Sequence, residues 1–368
     1  MTDVPAPYRV VIIGIGAIAE LIAQVLAEMP RARLVGGSCR TEAKGRKFAE
    51  RFGVAWYADN ERLLDEARPD VAIICTPSGQ HRDAAIACAA RKIHVLCEKP
   101  LEITTARVRD MIDACDAAGV RLGGLFPQRF NPINQLVRET AAAGRLGSLS
   151  VVAASVPWWR DDAYYGPGRW HGKAALDGGG ALMNQAIHTL DLMQWFAAAT
   201  MPELPPDVNA VEEVFAYAAK RGHDPGLIEV EDTAGVSLRF RNGAIGSVLA
   251  ATSMYPGRRR HYEIAGRDGT IAVREDELVE FAFRHERPDD QETRQRFARP
   301  TQHAGGAANP LAIDPRPHQR NIADFLSALD ERRQPLLTGR ESLKAVEIIE
   351  ACYESARTGA AVRVDGKN

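Results

Sequence analysis

Apolar positions follow one rhythm up to about residue 127 and another beyond it. In the first part, short unbroken apolar runs alternate with stretches of helical period. Val10 to Ile13 is continuous and mostly β-branched, the pattern of a strand covered on both faces. Gly14-Ile15-Gly16-Ala17-Ile18-Ala19 follows, and then Ile18, Leu21, Ile22, Val25 and Leu26 recur at helix spacing. The alternation returns in "ARLVGGS", in "DVAIICTP" before "SGQHRDAAIACAARK", and in "IHVLCEKP" before "TARVRDMIDACDAAG", with "VRLGGLF" as a last strand. Repeated strand–helix units predict a parallel, doubly wound sheet.

After Phe126 the alternation stops. "NPINQLVRETAAAG" reads as a helix and "LSVVAASVPWWR" as a strand. Strand pairs flank Asn242-Gly243 and Asp268-Gly269, both hairpin signals. Residues 286–317 are polar and rich in Gly and Pro, which predicts a long loop. Two helices, around "HQRNIADFLSALDER" and "SLKAVEIIEACYESART", close the chain. The fold class expected is therefore α/β: an N-terminal Rossmann-type doubly wound parallel sheet over residues 1–127, then an α+β domain with an open, mainly antiparallel sheet over 128–368.

The glycine pattern sits between strand and helix, where it suits a dinucleotide. Gly14 permits the tight turn, Gly16 lets a pyrophosphate approach, and Ala19 lets helix and strand pack closely. Gly16, Ala17 and Ile18 open the helix, whose free N–H groups favour phosphate. The second strand ends in Ser38, Arg40 and Thr41, with no acidic residue for a ribose diol. These groups suit a 2′-phosphate, so NADP is expected, with NAD the alternative through Glu42. Ligands of such sheets lie beyond the carboxyl ends of the strands. Thr76-Pro77, Glu98-Lys99-Pro100 and Gln128-Arg129 all fall there.

Farther along, Gly178-Gly179-Gly180 precede a helical run in which Asn184 and His188 are four apart and share a face. Asp191 is placed to orient the histidine, and the glycines suggest a close backbone approach. The stretch "PWWRDDAYYGPGRWHGK" interleaves Trp159, Tyr165 and Trp170 with Arg160, a mixture that suits the C–H faces and hydroxyls of a sugar.

Composition narrows the function. The 368 residues carry a formal net charge of −2, which gives no basic face for nucleic acid and no polybasic membrane tether. No run of eighteen apolar residues suggests a membrane span, and the apolar start lacks the features of a signal peptide. Six scattered cysteines form no metal-binding spacing. A cytoplasmic protein with reduced thiols and no metal is expected.

Taken in order, Gly14-x-Gly16-x-x-Ala19, Thr76-Pro77 with His81, Glu98-Lys99-Pro100, Gln128-Arg129-Phe130 and the glycine triplet before His188 resemble the Gfo/Idh/MocA family over nearly the whole chain. The resemblance implies an NAD(P)-dependent oxidoreductase of sugars or polyols, with oligomers, dimer or tetramer, formed through the C-terminal sheet. It implies Lys99 and His188 as catalytic residues and a cis Lys99–Pro100 bond. Cofactor contacts are expected at Gly14, Gly16, Ala17, Ile18, Ser38, Arg40, Thr41, Thr76, Pro77, His81, Glu98 and Gln128. Substrate contacts are expected at Lys99, Arg129, Trp159, Arg160, Tyr165, Trp170, Asn184 and His188. Many family members carry Asp where this chain has Asn184, and "GGGALMNQ" resembles the branch acting on UDP-N-acetylglucosamine-like sugars, with the 3-hydroxyl as a candidate position. Two other readings stay open: a glycoside-modifying enzyme that uses transient oxidation with tightly held cofactor, and a non-catalytic nucleotide-binding regulator.

Overall fold

In the computed structural model, residues 6–298 and 314–364 are described. The chain divides into two units, one reaching Pro127 and taking in Pro315–Leu343, the other built from Gln128–Asp314 and the chain from Lys344 onward.

The first unit begins with β1 (Tyr8–Ile13), α1 (Ala17–Ala27), β2 (Ala32–Ser38), α2 (Glu42–Phe52), β3 (Ala55–Tyr57) and α3 (Asn60–Ala67). It continues through β4 (Val71–Ile74), α4 (His81–Ala90), β5 (His94–Glu98), α5 (Thr105–Ala118) and β6 (Leu122–Leu125). The strands form one parallel sheet in the order β3-β2-β1-β4-β5-β6. Parallel pairing sends every carboxyl end to the same edge, so Gly14, Cys39, Cys75 and Lys99 all emerge there. Local signals set the helix starts: the side chains of Asp59 and Thr104 accept from the N–H groups of Arg62 and Arg107, which caps α3 and α5.

The second unit contains α6 (Pro132–Ala142), β7 (Leu149–Pro157), α7 (Asp162–Tyr165), α8 (Ala174–Asp177) and α9 (Ile187–Ala199). Strands β8 (Val211–Ala219), β9 (Thr233–Phe240), β10 (Ile245–Ala251), β11 (His261–Gly266), β12 (Gly269–Arg274) and β13 (Glu277–Phe283) follow, then α10 (Asp290–Arg296). The described chain resumes with α11 (Pro315–Asp330), α12 (Gly339–Thr358) and β14 (Val362–Arg363). The sheet runs β13-β12-β11-β7-β10-β9-β8-β14 and is antiparallel except where β10 joins β7. Both expected hairpins are present, and Gly243 takes the positive φ of 86° that its turn requires. One sheet face is buried through Val152, Val236, Val248, Tyr262 and Ile271. The other leaves Val151, Ile245, Leu249 and Tyr217 exposed.

Two expectations are corrected. Residues 128–368 do not form one continuous second domain. Helix α11 belongs to the first unit, where Ile322, Phe325 and Leu326 enter the core built by Val10, Ile12, Ile22, Leu26 and Ile73. The Asn321 side chain fixes this helix to the sheet, accepting from the Phe126 N–H at 3.0 Å and donating to the Gly124 carbonyl at 3.2 Å. An amphipathic helix announces its apolar face but not which sheet will cover it. The predicted loop over 286–317 contains α10 and the start of α11; its residues 299–313 lie outside the described chain. No helix among the described residues is long and apolar enough to cross a membrane.

Candidate active site

In the first unit the glycine turn has the form its sequence requires. Gly14 has φ 96°, and a Cβ there would lie 2.6 Å from the Thr76 nitrogen. Only glycine fits, because a side chain would be strained by the dihedral and would strike the β4 end as well. Gly16 is exposed, and a Cβ on it would meet nothing within 4 Å. Beside it begins α1, whose first N–H groups have no partner within the helix, while Ala19 is fully buried. An open cradle at a helix N-terminus matches the pyrophosphate of a dinucleotide, so the residues present fit that cofactor.

At the end of β2 the expected groups separate. Ser38 is buried, and its hydroxyl donates to Asn60 Oδ1 at 2.6 Å, so it serves the fold. Arg40 and Thr41 are exposed at the start of α2. Glu42, the residue that would favour NAD, is paired with Arg46 at 2.6 Å.

The next strand ends carry Thr76 and Glu98. The Thr76 hydroxyl is buried without a hydrogen-bond partner among the described residues, and Pro77 follows it partly exposed. His81 was expected at the cofactor, but it lies 1% exposed between backbone carbonyls: Nε2 meets Thr76 O at 2.8 Å and Nδ1 meets Pro100 O at 2.9 Å. It thereby ties the end of β4 to the corner after β5. Glu98 is buried, and its Oε2 accepts from the Lys99 N–H at 3.2 Å. Burial pushes this carboxyl up to about 7, against the opposing pull of the Lys99 ammonium and N–H. Lys99 itself is partly exposed, and the Lys99–Pro100 bond is cis.

In the second unit, one helical run holds the candidate groups. It opens as a π-helical turn over Ala181–Ala186 and continues as α9. From Ala181 to Ala197 every residue is buried except Asn184 and His188. The two polar residues singled out from the sequence are thus the accessible stripe of an otherwise covered helix. Two glycines of the triplet, Gly179 and Gly180, prove to serve packing, and Gly178 takes the positive φ of 73° that ends α8. A Cβ on Gly179 would strike the Tyr353 hydroxyl, and one on Gly180 the Glu231 carbonyl. The close approach expected at these glycines is therefore to the protein's own chain. The Glu231 carboxylate accepts from the N–H groups of Gly180 and Leu182 at 3.0 and 2.8 Å, holding the start of the π turn.

A directional chain of polar side chains crosses this turn. Arg160 Nη2 donates to Gln185 Oε1 at 3.0 Å. Gln185 Nε2 donates to Tyr164 Oη at 3.1 Å and to Asn184 Oδ1 at 3.2 Å. Asn184 Nδ2 donates to Asp177 Oδ1 at 2.5 Å. Of these, Gln185 and Asp177 were missed by sequence reasoning, while Tyr164 lies in the aromatic stretch that the sequence marked as suited to a sugar. Gln185 adjoins Asn184, but a helical wheel turns it inward, and nothing local shows that an inward glutamine has polar partners.

Other expected substrate residues are placed within the fold. Arg129 is fully buried and forked onto Asp191, which is also buried. Tyr165 is 5% exposed and its hydroxyl donates to Thr252 Oγ1 at 3.0 Å. Arg160 is 3% exposed and acts through Gln185. Trp159 and Trp170 are partly exposed, with Trp159 stacked on His223 and Trp170 on His171. Gln128 opens the second unit, where its Oε1 accepts from Arg260 at 3.1 Å.

Comparison with known proteins gives a consistent picture. Residues 8–125 match the family model described as an oxidoreductase family, NAD-binding Rossmann fold. Residues 138–364 match the oxidoreductase family, C-terminal alpha/beta domain. The chain is 30% identical to myo-inositol 2-dehydrogenase of Thermotoga maritima over 72% of its own length and 74% of that protein's. It is 29% identical to D-glucoside 3-dehydrogenase of Escherichia coli, over 65% of this chain and 69% of the relative. Among solved structures it superimposes on the WlbA dehydrogenase from Bordetella pertussis, in complex with NADH and UDP-GlcNAcA. The TM-score is 0.84 at 30% identity, covering 98% of each chain.

Proposed function

The chain belongs to the Gfo/Idh/MocA family of oxidoreductases, and from that premise we propose that it oxidises a secondary alcohol of a sugar or sugar derivative, or runs the reverse reduction, with a nicotinamide dinucleotide. The observation that carries the reading is that Asn184 and His188 are the accessible residues of a run otherwise buried from Ala181 to Ala197. A buried helical run whose accessible side chains between Ala181 and Ala197 are an amide and an imidazole offers a hydroxyl one group to bind it and one to take its proton.

The bound nicotinamide supplies the hydride acceptor or donor. The protein's part is placement and proton handling. His188 is assigned as general base, since an ordinary imidazole titrates near working pH. Lys99 is assigned as the cation that donates to the same oxygen and stabilises the negative charge developing on it. Asn184 holds a neighbouring hydroxyl, and Trp159 and Trp170 offer aromatic faces to the ring. The 3-hydroxyl of a pyranose is the position we assign, supported by the name of the Escherichia coli relative.

NADP is assigned over NAD because Arg40 and Thr41 are exposed at the end of β2 while Glu42 is held by Arg46. Self-association through the second unit's sheet is assigned from its exposed Val151, Ile245, Leu249 and Tyr217. A cytoplasmic setting is assigned from six free cysteines, four of them buried.

The test is a panel of pyranosides, free, phosphorylated and nucleotide-linked, assayed with NADP and NAD for formation of reduced nicotinamide. Lys99→Met and His188→Ala are each expected to cut turnover by about two orders of magnitude while cofactor binding survives. Near-normal rates in both variants would overturn the assignment.

A further inference from the structure

The two ends of the polar chain across the π turn are charged, and each end can bond in only one sense. Arginine donates and never accepts; an ionised carboxylate accepts and never donates. Arg160 therefore obliges Gln185 to turn its Oε1 toward the guanidinium, and the Gln185 amide nitrogen is left to face Tyr164 and Asn184. Asn184 must then turn its Oδ1 to Gln185 and its Nδ2 to Asp177. Asp177 is 1% exposed, and its other oxygen accepts from the Gly172 N–H at 2.7 Å. Neither amide can flip without setting donor against donor or acceptor against acceptor.

We propose that Asp177 is the specificity-determining positioning residue of the substrate site: it dictates an amide at position 184, fixes the sense of that amide, and thereby keeps the negative charge of the pair on the buried member and the group that meets the sugar uncharged. A carboxylate at 184 would stand 2.5 Å from the Asp177 carboxylate, a separation at which two like charges cannot both persist. The residue that bars an acid at 184 thus lies seven positions upstream, at the end of a short helix. The functional consequence follows from charge. An amide at 184 binds a hydroxyl of a neutral sugar and of an anionic one alike, whereas a carboxylate there would repel a uronate. This inference rests on the reading that Asn184 meets the substrate.

The test exchanges the two residues. In Asn184→Asp the carboxylates oppose each other. In Asp177→Asn the single amide oxygen at 177 cannot accept from both Gly172 and Asn184, so one donor meets another. The double exchange preserves the contacts named above: the amide at 177 accepts from Gly172 and donates to the carboxylate at 184, which still accepts from Gln185. Each single variant is expected to lower Tm by about 5 °C, and the exchange to recover most of that loss. The exchanged protein is further expected to raise KM for a uronate by about tenfold or more over KM for its neutral parent glycoside, a gap absent from the wild type, with kcat for the neutral sugar changed less. The probes are methyl glucoside and its C6 uronate.

An exchange no more stable than the sum of the single losses would overturn the pairing. An exchange that recovers Tm but leaves the neutral-to-anionic preference unchanged would overturn the specificity role. Should Asn184→Asp fail to fold, the exchange is compared with Asp177→Asn alone. Absence of turnover by the wild type on every sugar of the panel would instead mark failure of the functional reading, and the Tm comparison still decides the pairing.

Discussion

Arg129 and Asp191 form a two-pronged ion pair, Nε to Oδ2 at 2.7 Å and Nη2 to Oδ1 at 2.6 Å, with both side chains essentially inaccessible to water. The guanidinium carbon also stands 5.0 Å from the centroid of the Trp195 ring. Asp191 lies one turn beyond His188 on α9, so this pair anchors the part of the helix that carries the candidate base. A buried cation whose partner is removed keeps its desolvation cost and loses its compensation. Asp191→Asn is expected to cost about 3–5 kcal/mol of stability. Denaturant unfolding of the variant against wild type measures this. A loss under about 1 kcal/mol, the range of a surface pair, would refute a buried role.

Glu98 gives stability a pH dependence of defined sign. Its carboxyl is raised by burial from an ordinary 4.5 to about 7 in the folded protein. Between those values the folded state holds a proton that the unfolded state has released. The contribution is therefore complete below pH 4.5, is lost as pH rises toward 7, and changes no further above it. The span corresponds to about 3 kcal/mol. Glu98→Gln is expected to remove this slope, so its Tm should exceed that of wild type above neutrality and converge with it in acid. Thermal melts across pH, without cofactor, check this; parallel curves for the two proteins would contradict it.

Arg40 should matter for one cofactor and not the other. A guanidinium facing a 2′-phosphate adds a charge-assisted contact that NAD lacks. Arg40→Ala is expected to weaken NADP binding by about tenfold or more and leave NAD binding nearly unchanged. Titration of both cofactors by fluorescence or calorimetry measures the ratio, and an unaltered NADP affinity would remove the argument for the phosphate.

The parallel sheet and its glycine turn were legible because their signals are local: a β-branched run, a turn that only Gly14 can make, and a helical period starting at Ile18. Asn184 and His188 were legible for the same reason, since spacing alone puts them on one face. What escaped the sequence depends on partners distant along the chain. Arg129 looked available to a substrate because Asp191 lies 62 residues away. The glycine triplet announced a close backbone approach but not its partner, because Glu231 and Tyr353, which crowd Gly180 and Gly179, are remote in sequence. Helix α11 looked like part of the second domain because its docking through Asn321 onto β6 joins residues 195 or more apart.

Under the proposed function, a sugar's secondary alcohol gives its carbon-bound hydrogen to nicotinamide under the control of Lys99 and His188. The most direct measurement uses a pyranoside deuterated at the reacting carbon, with NADP or NAD, and mass spectrometry of the cofactor after turnover. The account predicts deuterium in the reduced nicotinamide with wild-type protein, and a rate of transfer lower by about two orders of magnitude in Lys99→Met and in His188→Ala. Label that stays out of the cofactor while the sugar is converted, or transfer at the wild-type rate in both variants, would contradict it.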